Sequence, residues 1–520
     1  MRVVLVVVAI AVVVFGVVAR FTELGRLFYF HDEATTSLRI SGRTDADVER
    51  AIGNRWLTAR DLGTFQRPSG RSVVDSIHSL AVDDPQHPPL YFGLARLWPD
   101  VAGSSPAALR ALSAAIGTMA FAAVAWLAWE LFAGALAALL AVALFAVSPF
   151  QILYAQQARE YALWTLLTAA ASAALLAALR TRSGRMWALY AVLLAASLYT
   201  FPNTVLVAAA HSIYVAVRNR RSLVRFAVCV AASLVLFVPW LGVIVLERGA
   251  FDAGTGWTSE AIPFVDLVKS WIVTAAVPLV DVSSPAGTDL ALGVAAVALE
   301  VVALVVLWRS AARSAALFVL LLVVVPVLPL AFADATTGGI RSTIPRYLAP
   351  TMLGLSLALA YALARGLAAV RPAPRLAAGL AAGLVVAAGV GSYVHRLDAR
   401  VWWNADDGAA ATNLAVSRTL DGDSQSVLVA TGPGTVLELS HYLEPTTRIY
   451  VSLDGRMPAL PRDATSVYLY GSPANGSAAA RLRALVADAR RRGRHVEAVQ
   501  LSLPCCSADI AHIPDQFWRA

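Results

Sequence analysis

Four short stretches of this 520-residue chain gather side chains whose types and spacing suit chemistry. In FYFHDEATTSLR, residues 28–39, His31, Asp32 and Glu33 are consecutive. A charged trio costs little in a solvated loop, so its meaning depends on where the chain places it. In DDPQHPPLYFGLARLW, residues 83–98, Pro88 restrains His87 to extended backbone and Pro89 suits the first position of a helix, so His87 is held at a fixed point. A fixed histidine suits phosphate binding or metal ligation. The same residues also read as a plain helix start.

In SPFQILYAQQAREYALW, residues 148–164, a continuous helix would put Gln156, Arg159 and Glu160 on one face and Gln157, Tyr161 and Trp164 on the next. A cation beside a carboxylate can bind a sugar or a phosphate, or it can close a helix end as a structural pair. In STIPRYLAPTM, residues 342–352, Arg346 and Tyr347 open an apolar run. An arginine there suits an anionic ligand, or snorkels to lipid headgroups.

The elements that must hold these residues are membrane helices. The chain is 58% hydrophobic and 15% charged, whereas an ordinary soluble domain has about a quarter of its residues charged. Apolar runs at 2–19, 107–129, 131–148, 160–179, 186–201, 203–217, 223–244, 288–308, 313–333, 347–369 and 374–394 read as spans, giving a polytopic α-helical membrane protein with about 11 transmembrane helices. The first run reads as an uncleaved anchor. The net charge of +8 does not call for nucleic acid, because the arginines sit in short clusters between apolar runs. Arg180, Arg182 and Arg185 form one such cluster, Arg218, Arg220, Arg221 and Arg225 a second, Arg309 and Arg313 a third, and Arg365, Arg371 and Arg375 a fourth. If these face the cytoplasm, so does the N-terminus, and the tail lies outside with all four chemical stretches.

Residues 1–394 therefore read as a transmembrane domain with a large outer loop at 20–106 and a second at 245–287, in which 263–283 is an interfacial or re-entrant segment. The first loop is far longer than a connection requires. Thr44 to Asp47 fits a helix-capping pattern, and ADVERAIGNRWLTAR from Ala46 fits an amphipathic helix on the membrane surface. Residues 395–520 read as an extracytoplasmic α/β domain, with strand-length runs SVLVA, RIYVSL, SVYLYG and HVEAVQLSL and a helical stretch at 477–492. TGPGTVLE follows the first of these strands, with Gly432 to Glu438 leading into a helix, as a phosphate-cradling turn or a plain strand-to-helix turn would. Cys229 reads as a small core residue, while the adjacent Cys505 and Cys506 are open to a disulfide, a thiol pair or a contact with another chain. The spans carry few ionisable groups, chiefly Glu300 and His211, which favours chemistry at the membrane surface over a polar path through it.

HDEA from His31, HPPLYF from His87, GSSPAALRALS from Gly103, YAQQAREYAL from Tyr154 and RYL from Arg346, in this order and on one side of the membrane, resemble the GT-C glycosyltransferases. Within that superfamily the likeness is to the protein O-mannosyltransferase and aminoarabinose transferase-like group, glycosyltransferase family 39-like proteins. It covers about the first 200 residues and the isolated RYL, and hardly touches the tail. The resemblance implies an inverting transfer of a sugar, mannose or arabinose first, from a polyprenyl-phosphate donor to an extracytoplasmic glycan, glycolipid or protein. It implies Asp32 as general base with Glu33 beside it, and substrate contacts from His31, His87, Arg159, Glu160, Tyr161, Arg346 and Tyr347. Relatives often carry a glutamate where this chain has Gln157, which puts any catalytic or metal role at that position in doubt. Some relatives use a divalent cation such as Mg or Mn and others none; Asp32, Glu33, His87 and Glu160 offer ligand types for one. The tail would help to bind a large acceptor or serve as a scaffold. The competing readings are a lipid-linked saccharide transporter or flippase and an inactive GT-C-like scaffold.

Overall fold

A computed structural model describes residues 2–68, 70–282, 284, 286–400, 409–421, 425–471, 476–499, 501 and 517–520. Cys505 and Cys506 lie outside the described residues. Among the described residues eight helices are long and apolar enough to cross a membrane: Val3–Phe21, Pro106–Phe132, Tyr161–Thr181, Arg220–Leu246, Gly287–Ser310, Arg313–Thr337, Pro345–Leu367 and Pro372–His395. A ninth forms if Ala135–Val147 and Pro149–Ala155, bent by 62° at their junction, count as one span. The chain is thus a multi-pass membrane protein.

The expected count of about eleven includes two shorter helices. Gly184–Leu198 and Thr204–Arg218 are apolar but 15 residues long, about 22 Å at 1.5 Å per residue, against roughly 30 Å of hydrocarbon. The segment at 263–283 contains a 13-residue helix, Phe264–Ala276, likewise too short to span.

The chain forms two compact units that interleave along the sequence. The first comprises 1–24, 84–91 and 107–398 and holds all the long apolar helices. The second comprises 25–83, 92–106 and 399–520.

The second unit is built on a six-stranded sheet of β1 (Trp56–Thr58), β2 (Val427–Ala430), β3 (Arg448–Val451), β4 (Val467–Tyr470), β5 (Glu497–Ala498) and β6 (Phe517–Arg519), in the order β1-β3-β2-β4-β6-β5. The central strands β3, β2 and β4 are parallel, and β1, β6 and β5 pair antiparallel at the two sides. Strands β2 and β4 are apolar and buried throughout because both faces are covered, whereas β3 alternates buried and half-buried residues. Val427, Val429, Val467 and Leu469 pack with Leu482, Leu485 and Val486 of helix Gly476–Arg491. Leu428, Ala430, Ile449, Val451 and Tyr470 face the other way, onto Leu38, Val48, Ile52 and Leu62 of the first loop and Val436, Leu437 and Leu439 of helix Pro433–Leu439.

Two local expectations change accordingly. Thr44 and Asp47 do form a reciprocal capping box, but the helix they open ends at Ile52. Trp56 to Thr58 then become β1 instead of continuing an amphipathic helix, because pairing with β3 satisfies their backbone. In HVEAVQLSL only Glu497 and Ala498 are strand among the described residues.

Candidate active site

Each unit carries one group of the residues singled out from sequence. In the first unit the expected continuous helix over 148–164 does not exist: Pro149–Ala155 ends at Gln156, and a new helix starts at Tyr161. Arg159 and Glu160 therefore sit on a non-helical turn between two helices, and the face predicted by helical spacing is corrected.

The break has local causes. Pro149 has no N–H, so the carbonyl of Phe145 loses its partner four residues on. The buried Arg20 guanidinium fills that role, donating to Phe145 O at 3.1 Å, Ala146 O at 2.9 Å and Gly16 O at 2.8 Å. Gln156 Nε2 donates to Ala19 O at 2.7 Å and Thr22 O at 3.1 Å, which ties the turn to the end of the first helix.

On that turn Glu160 is fully buried. Its Oε1 lies 2.9 Å from His87 Nδ1 and 3.3 Å from Arg159 Nη2, and its Oε2 lies 3.3 Å from Arg159 Nε. Arg159 Nη2 also reaches His87 Nε2 at 3.0 Å. One assignment satisfies both ring contacts, with Nδ1–H donating to Glu160 and Nε2 accepting from Arg159. Burial pushes the Glu160 carboxyl up, but Arg159 and His87 outweigh it and hold the carboxyl below its ordinary value. The His87 segment is itself pinned. Leu90 N donates to Tyr199 O at 3.0 Å, and Trp240 Nε1 donates to Pro85 O at 3.1 Å.

Tyr161 opens the helix after this turn, and two guanidinium groups lie near its ring: Arg159 at 5.8 Å and Arg346 at 5.9 Å from the centroid. Arg346 also lies 5.8 Å from the Tyr347 ring and 5.5 Å from that of Trp257, each within cation–π range. Phe201 joins Tyr161 and Tyr347, with centroid separations of 5.8 Å and 5.7 Å. The loop before Arg346 is fixed by Asp334, whose Oδ2 accepts from Ser342 N at 2.6 Å and Ser342 Oγ at 2.7 Å while Oδ1 accepts from Arg341 at 3.1 Å. The structure thus links His87, Arg159, Glu160, Tyr161, Arg346 and Tyr347 from three distant stretches: Arg159 and Arg346 near the Tyr161 ring, His87 and Glu160 on Arg159, and Tyr347 beside Arg346. Trp257 was missed, since a lone tryptophan in AGTGWTSE gives no signal of its neighbour.

In the second unit His31, Asp32 and Glu33 form the first turn of helix His31–Ile40. Two acids are well placed there, because the helix N-terminus carries partial positive charge. Glu33 is buried, Asp32 half-buried and His31 exposed on one side. Tyr29 OH and Ser37 Oγ are 2.6 Å apart, Tyr29 N donates to Tyr442 OH, and Phe28 stacks on Tyr442 at 4.2 Å, so the chain before the trio is anchored to the C-terminal segment. Further along, the buried Arg39 pairs with Asp45 and Asp83, each at 2.6 Å.

In sequence Glu438 stands only at the end of TGPGTVLE, with nothing to mark it as a site residue. It projects from helix Pro433–Leu439 and is fully buried, with His31 and Asp32 as its charged neighbours and Asn413 as a hydrogen-bond donor. Burial pushes its carboxyl up to about 7, Asp32 adds to the rise, and His31 and Asn413 oppose it. The turn at Gly432 is a strand-to-helix connection, and its helix has seven residues.

Among the described residues no three His, Cys, Asp or Glu side chains stand close enough to hold a metal ion. His87 and Glu160 are committed to each other and to Arg159, so the donor set does not fit a divalent cation. It suits an anion, with two arginines near one ring.

Residues 86–243, less than a third of the chain, match the family model described as dolichyl-phosphate-mannose-protein mannosyltransferase. No curated protein matches the sequence. Among solved structures, ArnT from Cupriavidus metallidurans bound to undecaprenyl phosphate is similar at 14% identity and a TM-score of 0.51, over 89% of this chain and 93% of that one. Its apo state gives 14% and 0.50, over 90% and 93%. An Archaeoglobus fulgidus oligosaccharyltransferase tethered to an acceptor peptide gives 14% and 0.46 over 86% of this chain; the chain spans 63% of its length. The likeness to ArnT over nearly the whole of both chains establishes the fold.

Proposed function

We propose that this chain, a member of the GT-C superfamily of membrane glycosyltransferases, is an inverting enzyme that transfers a sugar from a polyprenyl phosphate to a hydroxyl outside the cytoplasm. The observation that carries the reading is the cluster in the first unit: Arg159 and Arg346 near the Tyr161 ring, both at helix N-termini, with Glu160 and His87 orienting Arg159. Helix N-termini already favour anions, and an arginine there compounds the positive potential. The buried Arg159 and half-buried Arg346 offer guanidiniums that fit the fork geometry of a phosphate. The ArnT structure of the same fold binds undecaprenyl phosphate, which supports a lipid phosphate as the anion.

In this reading Arg159 and Arg346 hold the phosphate of the donor and stabilise the charge that collects on it as the sugar leaves. Glu160, whose Oε1 meets His87 Nδ1 and Arg159 Nη2, serves to aim Arg159. Asp32 takes the proton of the acceptor hydroxyl, supported by the buried Glu33 and flanked by His31. The acceptor oxygen attacks the anomeric carbon, the bond to the phosphate oxygen breaks, the configuration inverts, and polyprenyl phosphate departs with the electron pair. Tyr161 and Tyr347 offer aromatic faces to the donor. Mannose and arabinose are the first sugars to offer, and a cell-wall glycan, glycolipid or protein the acceptor. In this reading the N-terminus and the arginine clusters face the cytoplasm of a plasma-membrane protein, and the C-terminal domain lies outside.

A transporter would need a polar path through the helices. His211, buried among them, is instead satisfied by Ser172 at 3.1 Å and Tyr190 at 3.2 Å, and Arg20 is spent on backbone carbonyls.

The test is an in vitro transfer assay with purified wild type and Asp32→Asn, polyprenyl-phosphate mannose and polyprenyl-phosphate arabinose as donors, and native membrane extract as acceptor source. Wild type should consume one donor and form a new glycoconjugate, and the variant should lose roughly 10²- to 10⁴-fold in rate with unchanged melting. Full transfer by Asp32→Asn would remove the proposed base. Movement of the lipid across vesicles with no new glycosidic bond would favour the transporter.

A further inference from the structure

Behind the Asp32 turn lies a buried acid that the proposed mechanism does not use. Helix Pro433–Leu439 packs against helix His31–Ile40, and the ring of His31 rests on Gly434, whose added methyl would stand 3.5 Å from Cε1. Glu438 of that helix is 3% exposed, and its Oε1 accepts no hydrogen bond among the described residues. A lone carboxylate in such a place is costly, whereas a protonated carboxyl is tolerated and can donate.

Among the described residues, His31 is the group of cationic type set against Glu438, and no arginine or lysine is paired with it. From helix His31–Ile40 the groups facing Glu438 are His31 and Asp32. Helix Ala409–Asp421 presents Asn413, whose Oδ1 accepts from Tyr470 OH at 2.5 Å, leaving its amide N–H groups for Glu438. The helices at 45–52 and 59–64 and strand β3 also touch this helix. Of their charged groups, Asp45 pairs with Arg39, Asp47 with Thr44, Arg50 and Arg71, Asp61 with Thr58 and Arg448 with Asp463, while Glu49 and Arg60 are exposed. His441 bonds Gln66 at 2.8 Å.

We propose that Glu438 is a positioning residue for Asp32: as a neutral acid it braces the His31–Asp32 corner, so that of these two carboxyls Asp32 is the ionised one. Two carboxyls in one neighbourhood divide their protons according to environment, and the more deeply buried keeps its own. The half-exposed Asp32 is then left as the base. The C-terminal segment thereby contributes to the chemistry of the first loop, an inference that rests on Asp32 being the base of the proposed transfer.

The experiment compares wild type, Glu438→Gln and Glu438→Leu for melting temperature, donor KM, kcat and pH profile. Glutamine retains a neutral donor, so Glu438→Gln should keep transfer at pH 6 and lack the change in kcat that wild type shows as Glu438 ionises through about 7. Leucine removes the donor, so folded Glu438→Leu should lose roughly 10- to 100-fold in kcat with donor KM unchanged. Superimposable pH profiles of wild type and Glu438→Gln, or full kcat in folded Glu438→Leu, would overturn the inference.

A second readout needs no turnover: infrared titration of the protonated-carboxyl band that Glu438→Gln removes. That band should titrate at lower pH in Asp32→Asn, where the neighbouring negative charge is gone, and a midpoint that ignores Asp32 would overturn the inference. Absence of transfer by wild type with a shifted band would instead count against the proposed reaction and leave the coupling standing.

Discussion

Two buried glutamates have opposite fates, and the difference lies in their neighbours. Glu160 has an arginine and a histidine against it, and its carboxyl is held below the ordinary value of 4.5. Its contribution to stability is therefore complete above the ordinary carboxylate range and is lost as pH falls through the lowered value. Glu160→Gln should cost about 3–5 kcal/mol, because Arg159 is left buried without its counter-charge, and its melting temperature should lose the acid dependence of wild type. Glu438 has the reverse sign. Its folded value, about 7, lies above the ordinary 4.5, so its contribution is present at acid pH and is lost as pH rises through 7. Glu438→Gln should match wild type near pH 5 and melt higher at pH 8; a gap that is equal at both values would contradict the assignment. Sequence exposed the first glutamate and hid the second. Arg159-Glu160 announces itself as a charged pair beside an apolar run, whereas in PGTVLEL a buried acid and an exposed one are written with the same letter.

At the scale of elements, apolar runs were legible because membrane helices must be apolar, and every expected run is helical in the structure. The turn at 156–160 was not legible. Gln, Ala, Arg and Glu are good helix formers, and neither glycine nor proline interrupts them. What stops the helix is tertiary: Pro149 upstream, Arg20 on the stranded carbonyls, and Gln156 bonded to the first helix. The first helix also approaches closely. A methyl on Gly16 would stand 2.5 Å from Ala146 O, so the two helices would have to part. Arg20→Met should orphan at least two carbonyls, for a loss of roughly 2 kcal/mol or more, and by loosening the Arg159 turn it should raise donor KM more than it lowers kcat. Detergent melting and steady-state kinetics on one preparation check both. Asp334→Ala should act in the same way on Arg346, through the released Ser342 and Arg341. A normal KM in that variant would show that Arg346 is placed without the loop.

At the scale of the whole molecule, the chain passes between its two units four times before residue 107 and once more at 398. Strand β1 is three residues long and pairs with residues 448–450, almost four hundred positions away; no local pattern encodes that. The C-terminal strands were readable as α/β, yet their role as the floor beneath the first loop was not, since it depends on Leu38, Val48, Ile52 and Leu62 sharing one core with residues far along the chain. The loop and the tail thus share one core, which makes a strong prediction about removing residues 399–520. An autonomous loop would keep its helices in the truncated protein. A shared core would leave those four side chains exposed, at about 1.5–3 kcal/mol each, and the Asp32 helix would lose its packing. Hydrogen exchange and limited proteolysis of the truncated, membrane-inserted chain should show helix 31–40 unprotected and cleavage within 25–83, while the apolar helices of the first unit stay protected. Protection of helix 31–40 after truncation would mean that the loop folds without the sheet, and that Asp32 owes its position to the first loop alone.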